Sequence, residues 1–346
     1  MDKTLHKIAK FSFVVILIFL VSCKNKKETG ITPRDSLEIP ARGFFMGILP
    51  IPANGQSFEE SHYLASLYAE FSPVWGRPTP FYKLADDLNG DWGDTFVEQY
   101  IRGNGMFPLI HLSFIGTGIT LVTPPGLEGA TLKNQEWREA YKQSAINVVK
   151  TVKPLYLAIG NEVNRWYEKF GAEANNPNGF QHYVSLYEEI YDTIKALSPE
   201  TKIFCTFCRE IVAEYREANL DVFNLFPVNI LDILVLTSYP YAVQGINLIS
   251  DIPNNYYSRV TSYVSNKPIG FSELGWPSIA DFGGEQGQAD FITEFSGRLT
   301  REQGINFHLF GWAWLHDLNE NDHIGLIKRD RTEKLAYSVW KNLSAR

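Results

Sequence analysis

Two stretches of this chain share one design, and together they restrict what it can fold into. Tyr156-Leu-Ala-Ile-Gly-Asn-Glu-Val-Asn164 is a short apolar run that stops at the polar pair Asn161 and Glu162. Pro268-Ile-Gly-Phe-Ser-Glu-Leu-Gly-Trp-Pro-Ser278 repeats the plan, with a carboxylate at Glu273 followed by Gly275, Trp276 and Pro277. Apolar runs this short, without polar alternation, read as strands buried on both faces. Each then delivers one glutamate at its carboxyl end.

The rest of the chain supplies six more candidate strands, at residues 42–50, 72–78, 106–114, 202–207, 230–239 and 306–314. Between them lie stretches of helical character. Ser57 and Glu60 form a capping-box pattern ahead of an amphipathic run to residue 71. Residues 83–102 are helical in part, interrupted at Asn89-Gly90, and 135–152 and 180–197 read as long helices. Residues 210–218, 256–265, 285–302 and 332–343 complete the set. Eight strand–helix alternations over residues 41–346 predict a single (β/α)8 TIM barrel. A doubly wound open sheet is the alternative, with a ligand at one switch point. No G-x-G-x-x-G follows the first strand. A barrel also accounts for the polar and aromatic residues gathered at strand carboxyl ends: Arg77, His111, Asn161, Glu162, Tyr239, Glu273 and Trp314. The long Gly/Thr/Pro segment at 115–133 reads as a substrate-facing lid.

The amino terminus stands apart. Lys3, Lys7 and Lys10 precede an apolar run at 11–21, the length of a signal-peptide core and short for a membrane span. It ends in Leu20-Val-Ser-Cys23, which resembles the bacterial lipobox. Residues 1–22 are therefore expected to be a lipoprotein signal peptide, with Cys23 the lipidated new terminus. Residues 23–40 read as a flexible tether, so the expected location is the bacterial cell envelope, on a lipid anchor. A net charge of −7 argues against a nucleic-acid partner. Cys205 and Cys208 form a C-x-x-C, but in an extended strand residues three apart face opposite sides, and no second pair completes a zinc site. His316 and His323 flank Asp317 and Asp322 without an H-E-x-x-H pattern, so no catalytic metal and no cofactor are expected. A monomer is expected.

Two carboxyls converging on one mouth suit cleavage of a glycosidic bond. One protonates the leaving oxygen and the other stabilises or attacks the anomeric carbon. Separation decides the stereochemistry: roughly 5 Å for retention, roughly 6.5–9.5 Å for inversion.

A strand four ending Gly-Asn-Glu and a strand seven ending in Glu resemble the clan A glycoside hydrolases, retaining (β/α)8 enzymes, over residues 43–343. The resemblance implies Glu162 as acid/base, Asn161 on the sugar 2-hydroxyl, Glu273 as nucleophile, Tyr239 as its support and Trp314 as a sugar platform. Residues 272–278 look like the nucleophile stretch of the family 17 β-1,3-glucanases. Ile159-Gly-Asn-Glu162 and Ser238-Tyr-Pro-Tyr241 also resemble the family 53 β-1,4-galactanases. Around these residues, Trp276 could face sugar or pack the barrel, Arg77 could pair with the nucleophile or sit on the surface, and His111 could line the mouth or the core. The implied partner is a β-linked glycan. Competing readings are a transglycosidase on the same site and a surface lipoprotein that binds glycan without turnover.

Overall fold

The computed structural model describes residues 30–36, 38–75, 80–264 and 267–345. Residues 31–346 form one compact unit. Cys23, Arg77 and the signal-peptide stretch lie outside the described residues.

The eight strands are β1 (Phe45–Ile48), β2 (Phe71–Val74), β3 (Phe107–Leu112), β4 (Tyr156–Ile159), β5 in two pieces (Lys202–Phe204 and Thr206–Cys208), β6 (Leu234–Ser238), β7 (Ile269–Leu274) and β8 (Phe307–Trp312). All pair in parallel. The sheet runs from the first piece of β5 through β4, β3, β2, β1, β8, β7 and β6 to the second piece of β5. Its two edges are thus consecutive halves of one strand, broken at Cys205, and the sheet closes into a TIM-barrel-like α/β fold. Closure removes the exposed edges that an open sheet of this size would present.

Aromatic rings stack from strand to strand near the amino-terminal end. Phe107 meets Phe45 at 5.3 Å, Phe71 at 5.6 Å and Tyr156 at 5.2 Å, and the Tyr156 hydroxyl is hydrogen-bonded to His308 Nε2 at 2.6 Å. Outside, α1 (Phe58–Ser66) opens with the expected capping box: Ser57 Oγ accepts from the Glu60 N–H at 3.1 Å and the Glu60 carboxylate accepts from the Ser57 N–H at 2.9 Å. α2 (Phe81–Leu88), a π-helical segment (Gly93–Ile101), α3 (Gln135–Val152), α4 (Asn164–Phe170), α5 (Phe180–Leu197), α6 (Val222–Leu225), α7 (Gly284–Ser296) and α8 (Leu335–Ser344) follow.

Some expectations change. Residues 210–218 form a hairpin, Glu210–Ile211 against Arg216–Glu217, rather than a helix. Buried Glu210 and the Arg209–Glu217 ion pair at 2.6 Å override a helix-compatible sequence. Where a helix is expected at 256–265, the described residues, to 264, carry a 3₁₀ turn, Ser258–Ser262. The 115–133 segment carries its own small hairpin, Ile115–Gly116 with Thr120–Leu121, tied down by Lys169 Nζ on the Gly118 and Ile119 carbonyls at 2.9 Å each. Cys205 and Cys208 are buried free thiols, as the strand geometry implied. Within the stretch expected as tether, Ile31 N–H bonds Leu197 O at 2.7 Å, and the Asp35 carboxylate accepts from Arg102 at 2.8 Å.

Candidate active site

Glu162 is delivered by a tight, strained exit from β4. Gly160 turns the chain at φ +107, and a Cβ there would lie 2.6 Å from Val163 Cγ1 and 2.9 Å from the Tyr183 hydroxyl. Glu162 itself sits at φ +47, a conformation that costs a side-chain-bearing residue about 1–2 kcal/mol. Thr206 in β5 holds the loop in place. Its Oγ1 accepts from the Glu162 N–H at 2.8 Å and donates to Asn161 Oδ1 at 2.7 Å, and its carbonyl accepts from the Val163 N–H at 2.9 Å. Buried Asn164 locks the start of α4 to β5, donating to Cys208 O and accepting from Cys208 N–H, both at 2.8 Å.

Glu273 is re-aimed by a bulge. Along β6 and β7, Leu236 pairs with Phe271 but Thr237 pairs with Glu273, so Ser272 has no opposite residue. A slip against β8 occurs over the same residues. Extra residues of this kind bend a strand and redirect its side chains. Gly275 then lets the Tyr239 ring cross the chain, since a Cβ there would lie 2.7 Å from Tyr239 Cε1.

Both carboxyls meet β6. Thr237 Oγ1 donates to Glu162 Oε1 at 2.7 Å. The Tyr239 hydroxyl donates to Glu273 Oε1. Thr237 lies in β6 and Tyr239 is the residue just past its end, so one short stretch of chain serves both carboxyls. Arg165, the next residue but two, pairs with Glu162 Oε2 at 2.8 Å. Burial, and then the Glu162 charge, push the Glu273 carboxyl up to about 8.

The other sequence-derived candidates divide. Asn161 and Tyr239 flank the pair, and both are half-buried. His111, on β3 beside Ala158 of β4, is buried with its ring stacked 4.0 Å from Trp75. Neither ring nitrogen is hydrogen-bonded among the described residues, and burial holds its pKa down at about 3, so the ring is neutral. Trp314 lies two residues past β8, half-buried, its indole N–H on Asp322 Oδ2 at 2.6 Å. Trp276 requires a correction: it is 0% exposed, stacked on Phe291 at 5.1 Å and bonded to Phe282 O, so it packs the barrel wall and has no face for a sugar.

Several site residues escaped the sequence. Thr237 had a signal, since it is two residues before Tyr239 in the same strand. Thr206 lay in a strand read only for its cysteines. Tyr215 is at the tip of the unforeseen hairpin, 69% exposed and at φ +55. Its neighbour Arg216 pairs with Glu168 of α4, the helix that carries Arg165. An apolar cavity of about 460 Å³ lies at the carboxyl ends of β1 and β2, walled by Trp75, Trp92 and Phe96.

No protein-family model and no curated protein matches the sequence. Solved structures do. A subfamily 18 member of glycoside hydrolase family 5 from Bifidobacterium longum subsp. longum ATCC 55813, crystallised as a variant in complex with Manβ1-4GlcNAc, matches with a TM-score of 0.61 at 13% identity, over 87% of this chain and 78% of its own. The exo-β-1,4-mannosidase Op5Man5 from Opitutaceae bacterium strain TAV5 gives 0.60 at 16% identity, over 89% and 62%. A family 39 glycoside hydrolase from Bacteroides cellulosilyticus WH2 gives 0.58 at 14% identity, over 89% and 65%. The chain therefore shares the (β/α)8 barrel fold of these structures.

Proposed function

We propose that the protein is a retaining β-glycoside hydrolase working by double displacement, with Glu162 as acid/base and Glu273 as nucleophile. The observation that supports this reading is the attachment of both carboxyls to one short stretch of chain, through Thr237 of β6 and Tyr239 just past it. In the first step Glu162 gives its proton to the glycosidic oxygen as that bond breaks, and Glu273 bonds to the anomeric carbon. In the second, Glu162 takes a proton from water, whose oxygen displaces Glu273. The Tyr239 hydroxyl assists, because a donor to a carboxylate favours its ionised form.

Asn161 has no protein acceptor for its Nδ2 among the described residues and is the natural partner for a sugar hydroxyl beside Glu162. Trp314 offers a ring on the Glu273 side. Tyr215, exposed on the hairpin that Arg216 ties to α4, is a second candidate ring for a sugar. The structural matches described above belong to families 5 and 39, so the likeness to families 17 and 53 rests on the sequence around the two glutamates alone.

The test is product release from β-glucans, galactans, mannans and xylans by the domain from Ile39 onward, followed by trapping with a 2-fluoro glycoside of the sugar released. A mass increase on the Glu273 peptide, with turnover lost in Glu162→Gln and Glu273→Ala, is the expected result. A label on Glu162 would reverse the roles. Binding of a glycan with no product from the wild type would favour the non-catalytic lipoprotein.

A further inference from the structure

A third carboxylate at this end of the barrel takes no part in that reaction. Glu210 follows β5 and is 3% exposed. Its Oε1 accepts from Ser238 Oγ at 2.7 Å and from the Tyr256 hydroxyl at 2.8 Å, and its Oε2 accepts from the Tyr239 backbone N–H at 2.6 Å. Two of these three donors belong to the last residue of β6 and the one after it, and Tyr239 is the first residue past the ladder, which ends at the Ser238–Leu274 pair. Tyr257 hydroxyl closes the same cluster on Ser238 Oγ at 3.0 Å.

The carboxylate is itself fixed from behind. Arg209 is fully buried, its guanidinium 4.1 Å from the Tyr256 ring and bonded to Glu217, which Arg259 also holds. Burial at such a cost is retained in a fold when it fixes a geometry that apolar residues could not. Here the geometry is the turn Ser238–Tyr239, and its output is the Tyr239 hydroxyl on Glu273.

We propose that Glu210 is a positioning residue. By binding the Tyr239 N–H and Ser238 it aims the Tyr239 hydroxyl at Glu273 and so sets how readily Glu273 gives up its proton. This rests on the assignment of Glu273 above only for its catalytic consequence; the coupling itself is a property of the folded protein. Two substitutions separate reach from titration. Glu210→Asp keeps a titratable carboxyl but is one methylene too short to bind the end of β6. Glu210→Gln removes the titratable group but keeps an acceptor for the Tyr239 N–H and a donor for Ser238. Neither opens a large cavity.

The experiment is a carboxyl ¹³C NMR titration of protein labelled at glutamate Cδ, with Glu273→Gln identifying the Glu273 resonance. Tyr239→Phe, which deletes a donor to the ionised carboxylate, raises the Glu273 midpoint by about one pH unit. Glu210→Asp gives a rise of similar size, Glu210→Gln leaves the midpoint near the wild-type value, and Glu210→Asp adds nothing in the Tyr239→Phe background. A shift in Gln but not in Asp, or additive shifts in the double variant, would overturn the proposal in favour of a through-space charge effect. An unmoved midpoint in Asp with a lowered melting temperature would reduce Glu210 to a packing role. Because the readout needs no turnover, a protein that shows this coupling but cleaves no glycan keeps the inference and loses the function.

Discussion

Glu273 is expected to destabilise the folded protein as the pH rises, and Glu273→Gln to relieve it. The ordinary carboxyl value of 4.5 moves to about 8 in the fold, through burial first and the Glu162 charge second. Between those two pH values the folded chain holds a proton that the unfolded chain has lost, so stability falls as pH rises through the window. The full difference corresponds to a ceiling of about 5 kcal/mol at 1.36 kcal/mol per pH unit. Glu273 is only half-buried by accessible surface, and solvent screening reduces this to about 2–3 kcal/mol. A glutamine has the same shape, still accepts from Tyr239 and never ionises. At pH 5 the two proteins therefore melt together. At pH 8 the variant is the more stable by about 4–12 °C, taking about 2–4 °C per kcal/mol for a large domain. Glu210, also pushed up to about 8 by burial, is common to both proteins and cancels in the difference. Scanning calorimetry at four pH values from 5 to 8 measures it. A difference that is constant with pH, or a variant that is less stable at pH 8, would refute the reasoning.

Three further outcomes are expected. Glu162→Gln lowers turnover of glycans about 10²–10⁴-fold, and far less for formation of the glycosyl-enzyme from a dinitrophenyl glycoside, whose leaving group needs no proton; single-turnover kinetics separates the two. Tyr215→Ala raises KM for long oligosaccharides severalfold while leaving kcat on an aryl monoglycoside unchanged, so equal losses on both substrates would remove Tyr215 from substrate contact. Cys23→Ala abolishes incorporation of labelled palmitate and releases the protein from membranes; retention would show that residues 1–22 are an uncleaved anchor or that another element binds the membrane.

The barrel was legible because its strands are short, apolar and separated by helices, a pattern few folds other than a parallel sheet covered on both faces can use. Its closure was less visible. The order of strands follows from tertiary pairing, and the break in β5 at Cys205 has no local sequence mark. At the site, Glu162 and Glu273 were legible because each interrupts an apolar run where a barrel strand ends. Trp276 misled for the same reason: position near Glu273 says nothing about which side of the bulge its ring falls on, and Phe291 on α7 takes it. The 210–218 hairpin was misread because Glu, Val, Ala and Arg are compatible with a helix, and only the burial of Glu210 under Tyr239 and Tyr256 shows why the chain does not form one.

In the proposed roles a nucleophile has to lose its proton, yet Glu162 and Glu273 are close enough for the Glu162 charge to raise the Glu273 pKa. Burial alone drives a carboxyl toward the neutral form. Two hydroxyl donors oppose that drive, Thr237 of β6 on Glu162 and Tyr239, just past β6, on Glu273. The difference between them lies behind the strand. Thr237 is within the sheet ladder, paired to Cys208 and Glu273, and cannot shift without breaking it. Tyr239 is beyond the ladder and depends on Glu210. The support for Glu162 is therefore fixed by the fold, while the support for Glu273 depends on a buried side chain. A single substitution at Glu210 can consequently change the proton balance of the site without touching Glu162 or Glu273.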